Sequence, residues 1–166
     1  MKQEIKQAFN KQGYSFLLPI QEKAIPQILA HKNLFIQAAT GSGKTLAYLL
    51  PALEIAEATS NDTQVLIITP TRELALQVSE VAKNIANDSK HHIVTVIGGL
   101  DIHKQENALR HRPTIIIGTP GRLMDLYSQK KIDLSHLLLC VVDEVDMVIS
   151  TGQRKETEYL LQHTNT

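Results

Sequence analysis

Two stretches of the sequence hold residues whose types and spacing can do chemistry. The first is Ala38-Ala39-Thr40-Gly41-Ser42-Gly43-Lys44-Thr45. It keeps the Gly-Lys-Thr end of the pattern in which a glycine is followed, after a short spacer, by Gly-Lys-Ser/Thr; Ala38 takes the place of the first glycine. Gly41 and Gly43 let the backbone adopt positive φ and approach an anion closely. Successive amide N–H groups then form a concave anion site at a helix N-terminus. Lys44 is placed to reach the outer phosphates of a nucleoside triphosphate, and the Thr45 hydroxyl to ligate Mg²⁺. The ordinary alternative is a plain glycine turn ahead of a helix. The second stretch is Asp143-Glu144-Val145-Asp146, whose first acid follows Lys44 by 99 residues. An acid pair after an apolar strand suits a nucleotide hydrolase: Asp143 holds Mg²⁺, directly or through water, and Glu144 polarises the attacking water. Acids so close together also suit a solvated loop. The two stretches together argue for Mg-dependent nucleotide binding and hydrolysis.

Something must hold these stretches side by side. Short apolar strings rich in β-branched residues recur at 34–36, 65–68, 93–97, 115–117 and 137–142. They are near-continuous rather than alternating, as strands are when both sheet faces are covered. Amphipathic segments at 44–58, 72–87, 100–111 and 121–130 lie between them. Strand–helix–strand repetition predicts a mainly parallel central sheet with helices on both faces, an α/β fold. Residues 1–31 read as a helical lead-in. Ligands of such sheets bind at the carboxyl ends of the strands. The chemistry is therefore expected at 38–45, 69–73, 98–99, 118–122 and 143–146.

Composition sets bounds. The chain has 166 residues, 43% of them hydrophobic and 20% charged, which suits one compact domain and excludes wholesale disorder. Lysine plus arginine and aspartate plus glutamate number 17 each, so a strongly basic binder of nucleic acid is excluded while local basic patches are not. Cys140 is the single cysteine, so no internal disulfide forms; it reads as a core thiol. The N-terminus has no signal-peptide run and no stretch is apolar enough to span a membrane, so the expectation is a cytoplasmic protein without membrane contact. The histidines show no zinc-ligand spacing. Lys130-Lys131 complement a helix C-terminus. Lys104, Arg110, His111 and Arg112 form either a solvated helix end or a basic edge. Tyr48, Leu49 and Leu50 read as helix core.

Other short motifs stand in order along the chain. They are Gly13-Tyr14-Ser15-Phe16-Leu17-Leu18-Pro19-Ile20-Gln21, Pro70-Thr71-Arg72-Glu73-Leu74-Ala75, Gly98-Gly99 and Thr119-Pro120-Gly121-Arg122. With the phosphate loop and the acidic motif, they make the chain similar to the first RecA-like domain of a DEAD-box RNA helicase, over nearly its whole length. The resemblance implies a RecA-like phosphate-loop domain that takes ATP and Mg²⁺ as cofactors. It implies ATP contacts from Gln21, Ala39, Thr40, Gly41, Ser42, Gly43, Lys44 and Thr45. Catalytic roles fall to Lys44, Asp143 and Glu144, and Mg²⁺ ligation to Thr45 and Asp143. Gln21 offers a carboxamide that can pair with adenine's edge. RNA contacts are implied for Pro70, Thr71, Arg72, Gly98, Gly99, Thr119, Pro120, Gly121 and Arg122. They hold the sugar-phosphate backbone, so binding is not sequence-specific. Asp146 is implied to couple to the family's Ser-Ala-Thr motif.

The sequence departs from the family pattern at Val145, where alanine is usual, at Met147, where arginine is common, and at Leu18, where threonine is common. The family's isolated aromatic ahead of the glutamine motif has no clear counterpart; Phe9 lies closer than the pattern expects. The sequence ends 20 residues after Asp146, ahead of the Ser-Ala-Thr motif and of the second RecA-like domain. The expectation is a monomeric fragment, 1–166, of an ATP-dependent RNA helicase. It would bind nucleotide and RNA, and depend on its partner domain for an arginine worth about 10³–10⁵ in rate. Two rival readings are a non-catalytic scaffold of the same fold and a DNA-directed translocase of the same superfamily.

Overall fold

Each described strand is uncharged and mostly apolar, and helices with apolar faces cover both sides of the sheet. The computed structural model describes residues 2–87 and 89–164. In chain order the elements are α1 (Gln3–Lys11), α2 (Pro19–Leu29), α3 (Lys44–Ile55), β1 (Val65–Ile68), α4 (Arg72–Ala86), β2 (Ile93–Val96), α5 (Ile102–Arg110), β3 (Ile115–Gly118), α6 (Pro120–Ser128), β4 (Leu139–Val142), α7 (Val145–Ser150) and α8 (Arg154–Gln162). The strands form one sheet in the order β2-β3-β1-β4. All its pairings are parallel: Val65 sits opposite both Ile115 and Leu139, and Ile93 opposite Ile115. No described helix is long and apolar enough to cross a membrane.

Strand alternation sends neighbouring residues to opposite faces. Val65, Ile67, Ile115, Ile117, Leu139 and Val141 face a core built with α1 to α4. Leu66, Ile68, Val94, Val96, Ile116, Cys140 and Val142 face a second core with Leu109 of α5, Leu123 and Leu126 of α6 and Leu160 of α8. Two covered faces are the reason the strings read as unbroken runs.

The four helices expected between strands are present, each end within three residues of its sequence boundary. Local capping sets the differences. Asp101 accepts from the His103 N–H and starts α5 late. Thr119 precedes Pro120 at the first helical position and starts α6 one residue early. Thr71 accepts from the Leu74 N–H at 3.1 Å and opens α4.

One expected strand is corrected. Residues 34–36 form no ladder with any described residue: β4 pairs with β1 alone, and Phe35 is 82% exposed. Apolar composition supplies the propensity, but a strand exists only where a partner takes its N–H and C=O groups. The string at 137–142 is also shortened, because Leu137 donates back to the Leu134 carbonyl in a turn.

Ile117 is fully buried at the sheet centre. Ile117→Ala is expected to lower the unfolding free energy by about 2–5 kcal/mol in urea titrations. Burial pushes the Cys140 thiol up to about 12 from an ordinary 9.0. Iodoacetamide at pH 8 should leave it unmodified in the folded chain and alkylate it in urea. The unfolded chain ionises near the ordinary value and the folded chain only near 12, so this group's contribution to stability is complete below the former and falls as pH rises between them.

Candidate functional site

The carboxyl end of β4, helices α2 and α4 and the turn before α3 converge on one cavity of about 600 Å³. Its walls include Gln21, residues 40–46, Leu74 and Gln77 of α4, and Asp143 and Glu144. The two chemically equipped stretches thus meet, although 99 residues separate Lys44 from Asp143.

The phosphate loop has the backbone its glycines were read to permit. Gly41 has φ +79° and Gly43 φ +89°, and Gly43 caps α3. A Cβ on Gly43 would lie 2.5 Å from Gln21 Nε2 and 2.8 Å from Leu18 Cδ1, so space as well as conformation demands glycine there. Lys44 Nζ donates to the carbonyls of Ala38 and, at 3.1 Å, of Ala39. Ser42 Oγ is buried with no hydrogen-bond partner among the described residues. An orphaned donor inside an amide nest fits an anionic oxygen as its partner.

Asp143 is held at both oxygens. Its Oδ1 accepts from the Glu144 N–H at 3.0 Å, and its Oδ2 accepts from the Tyr48 hydroxyl at 2.7 Å. Burial, and then the charge and hydrogen bond of Asp143, push the Tyr48 phenol far above its ordinary value, so it is a permanent donor. Glu144 has φ +50°, a left-handed conformation unusual for a side-chain-bearing residue, and it caps α7. That strain sits on the residue to which the sequence reading gives the attacking water. Asp146 lies exposed in the first turn of α7. A hydroxyl at Thr45 and a carboxylate oriented by Tyr48 form a hard-oxygen donor set that fits Mg²⁺.

Gln21 is 2% exposed. Its Oε1 accepts from the Leu18 N–H at 2.9 Å, and its Nε2 donates to the Gly43 carbonyl at 3.1 Å. The side chain therefore ties the lead-in to the phosphate loop. One lone pair and one N–H remain for a ligand. Phe9 is core rather than cavity, and Tyr14 stacks on it with ring centroids 5.0 Å apart. Tyr14 and Phe16 are the aromatics that line the cavity.

The other predicted residues gather outside the cavity, on loops following β1, β2 and β3. The Arg72 guanidinium lies across Gly98 and Gly99: a Cβ on Gly99 would fall 2.0 Å from Arg72 Nη1. Gly99 also has φ +76°. Arg122 Nη1 donates to the Leu100 carbonyl at 3.4 Å, tying the third loop to the second. Thr119, Pro120 and Gly121 open α6, and beyond its chain neighbours and its own helix backbone a Cβ built on Gly121 would meet no described residue within 4 Å. Pro70 and Thr71 lead into α4. Arg110 and Arg112 are elsewhere. They join Lys130 and Lys131 around a cavity of about 280 Å³ before β3 and β4, at the opposite end of the sheet.

Sequence reasoning missed two side chains. Tyr48 was read as core, and its ring is buried, but its hydroxyl reaches the acid pair. Gln153 was not singled out; it donates to the Pro70 carbonyl at 2.8 Å. Only a polar group inside an apolar helical run hinted at the first, and nothing local hinted at the second.

Gln21→Ala deletes two hydrogen bonds of a buried carboxamide and leaves the Gly43 carbonyl without this donor. The expected loss is about 1–3 kcal/mol of unfolding free energy, measured in urea without nucleotide.

Comparison with known proteins agrees with this geometry. The family model for DEAD/DEAH box helicases matches residues 18–166. The chain is 40% identical over 162 residues to the ATP-dependent RNA helicase CshA of Listeria monocytogenes serovar 1/2a, covering 98% of this chain and 31% of that protein. It is 37% identical over 163 residues to the DEAD-box ATP-dependent RNA helicase CshA of Bacillus subtilis, covering 98% of this chain and 33% of that protein. It thus spans about a third of the curated relatives' length. Among solved structures, a DEAD box protein from Methanococcus jannaschii superposes with TM-score 0.94 at 32% identity, over 99% of this chain and 45% of that one. A hypothetical ATP-dependent RNA helicase from Sulfolobus tokodaii superposes with TM-score 0.91 at 36% identity, over 99% of this chain and 47% of that one. The fold is the RecA-like domain of those proteins, and the chain belongs to the DEAD/DEAH box helicase family.

Proposed function

We propose that this chain is the N-terminal, ATP-binding RecA-like domain of an ATP-dependent RNA helicase of the cytoplasm, and that residues 1–166 work as one unit with a second RecA-like domain of the parent chain. The observation that carries this reading is the meeting of the left-handed Gly41 and Gly43 loop with the Asp143–Glu144 pair in one cavity.

On this reading the loop amides and Lys44 grip the triphosphate, and Ser42 Oγ gains the acceptor it lacks. Thr45 and Asp143 would hold Mg²⁺, directly or through water, and when bound it would supply positive charge to the triphosphate. Tyr48 keeps Asp143 in one orientation, as outer-shell donors do at metal sites. Glu144 orients the attacking water and takes its proton. Gln21 favours adenine through its remaining donor and acceptor. Asp146 lies exposed on α7, where it would couple to the Ser-Ala-Thr motif of the parent chain.

RNA lies outside the cavity across Arg72, the Gly98-Gly99 turn and the opening of α6. Arg72 and Arg122 supply charge, and the amides after Thr119 supply a phosphate site. Pro70, Thr71, Gly98, Gly99, Pro120 and Gly121 let the sugar-phosphate backbone approach closely. Contacts of this kind fix position and leave sequence unread. Closure of the second domain over both ligands couples ATP binding to strand separation in the parent.

Three measurements test the reading. Lys44→Ala should weaken binding of a fluorescent ATP analogue by about 10-fold or more, as loss of a charge-assisted hydrogen bond does; unchanged affinity would remove the phosphate loop from the site. Tyr48→Phe should leave the fold intact and raise the Mg²⁺ concentration needed for half-maximal nucleotide binding by about tenfold. In the two-domain parent, Glu144→Gln should bind ATP normally and release no phosphate; surviving hydrolysis would take Glu144 out of the reaction.

A further inference from the structure

The acidic motif and the Pro70–Arg72 loop, given separate roles above, are physically joined. Helix α7 begins directly after Glu144 and ends six residues later in a left-handed turn at Gly152, φ +76°. The Gly152 N–H donates to the Ile149 carbonyl, and the Gln153 N–H to the Val148 carbonyl at 3.0 Å. This paired closure is the usual device for ending a helix and fixing the residue beyond it. The Gln153 carbonyl accepts from the N–H of Thr157 at 3.2 Å and from its hydroxyl at 2.9 Å, so the first turn of α8 holds the same residue from the other side.

The Gln153 backbone is therefore pinned from two helices, and its side chain points to a third place. Nε2 donates to the Pro70 carbonyl at 2.8 Å and to Thr151 Oγ1 at 3.0 Å. Thr151 in turn donates to the Met147 carbonyl at 2.7 Å, inside α7. Pro70 sits between β1 and Thr71, which caps α4, and is followed by Arg72 over the glycine pair. One carboxamide thus spans 83 residues of sequence to hold the start of this loop.

A helix of six residues is about 9 Å long and behaves as a rod. One end of the rod carries Glu144 and the other feeds Gln153. A shift of the acid pair that turns α7 moves the donor that holds Pro70, and displacement of Pro70 alters the seating of Arg72. We propose that Gln153 is a positioning residue that couples the nucleotide cavity to the RNA-contact loop, so that nucleotide and RNA change each other's affinity through this hydrogen bond. The inference rests on the RNA reading of that loop.

The test is a thermodynamic cycle on the full 166-residue chain. Dissociation constants for a labelled single-stranded RNA are measured with and without a non-hydrolysable ATP analogue and Mg²⁺, in the wild type, Gln153→Met and Gln153→Glu. Both variants keep the side chain's length, and each lacks the donor. The wild type should show an RNA affinity that changes about 5-fold or more with nucleotide, the lower range of site-to-site coupling. Both variants should bring that factor to about one, while nucleotide affinity without RNA stays unchanged. A merely structural role would move both affinities together and leave the factor near its wild-type value. Hydrogen exchange of the amides at 71–73, which do not line the cavity, supplies a second arm without RNA. Nucleotide should change it in the wild type and leave it unchanged in Gln153→Met. RNA binding whose nucleotide dependence is absent in the wild type, or survives in both variants, overturns the coupling and leaves the RNA reading standing. Failure of the wild type to bind RNA at all removes the RNA reading, and a nucleotide-insensitive 71–73 then removes the coupling as well. If one variant unfolds, the other carries both arms; if both unfold, a wild-type exchange at 71–73 that ignores nucleotide overturns the coupling and one that responds supports it.

Discussion

Parallel pairing is the constraint on which the rest of this molecule depends. Four strands that run the same way discharge their loops at one edge of the sheet, and each return must cross a face. The crossing helices bury the sheet from both sides, which is why Leu66 and Ile67, neighbours in sequence, belong to different cores. The shared edge is where Asp143, the Pro70 loop, the glycine pair and the start of α6 are gathered from distant parts of the chain. No single loop is chemically sufficient. Their common address makes them so.

At that edge the polar groups act on one another before any ligand is considered. Tyr48 brings a hydroxyl from α3 to Asp143, and Gln21 brings a carboxamide from α2 to the phosphate loop. Both side chains are buried, and both bond to groups with chemical assignments. In a low-dielectric setting such bonds strengthen, and their loss is costly. The cavity is thus preorganised by residues that do not themselves carry out the chemistry. The loop face is held in a comparable way, by Arg72 over Gly98-Gly99 and Arg122 on Leu100.

How much of this was legible in the sequence follows from the range of each interaction. Helix starts were legible to within a residue or two, because Thr71 and Asp101 accept from N–H groups within three positions of themselves and Pro120 sets the first turn of α6. Gly41, Gly43 and Lys44 were legible because an amide nest is a local object. The sheet was legible as composition, since two-sided burial leaves unbroken apolar strings. Residues 34–36 show the limit: they have strand composition, but pairing depends on a neighbour the string does not encode. The Tyr48–Asp143 and Gln153–Pro70 bonds join residues 95 and 83 positions apart, so only the folded chain reveals them. The aromatics near the cavity lie beyond local reading for the same reason: the pattern shows no clear counterpart to the family's isolated aromatic, and packing places Phe9 in the core while Tyr14 and Phe16 line the cavity.

Glu144 makes a different kind of demand. Its left-handed backbone is a place glycine occupies at less cost, about 1–2 kcal/mol for the Cβ crowding alone. Substituting glycine there would relax the turn and delete the carboxylate in one step. On the proposed reading, selection for heat resistance and selection for turnover pull this position in opposite directions. A library screened only for thermal survival would favour glycine at the first residue after Asp143 and lose the carboxylate that this reading gives to the attacking water.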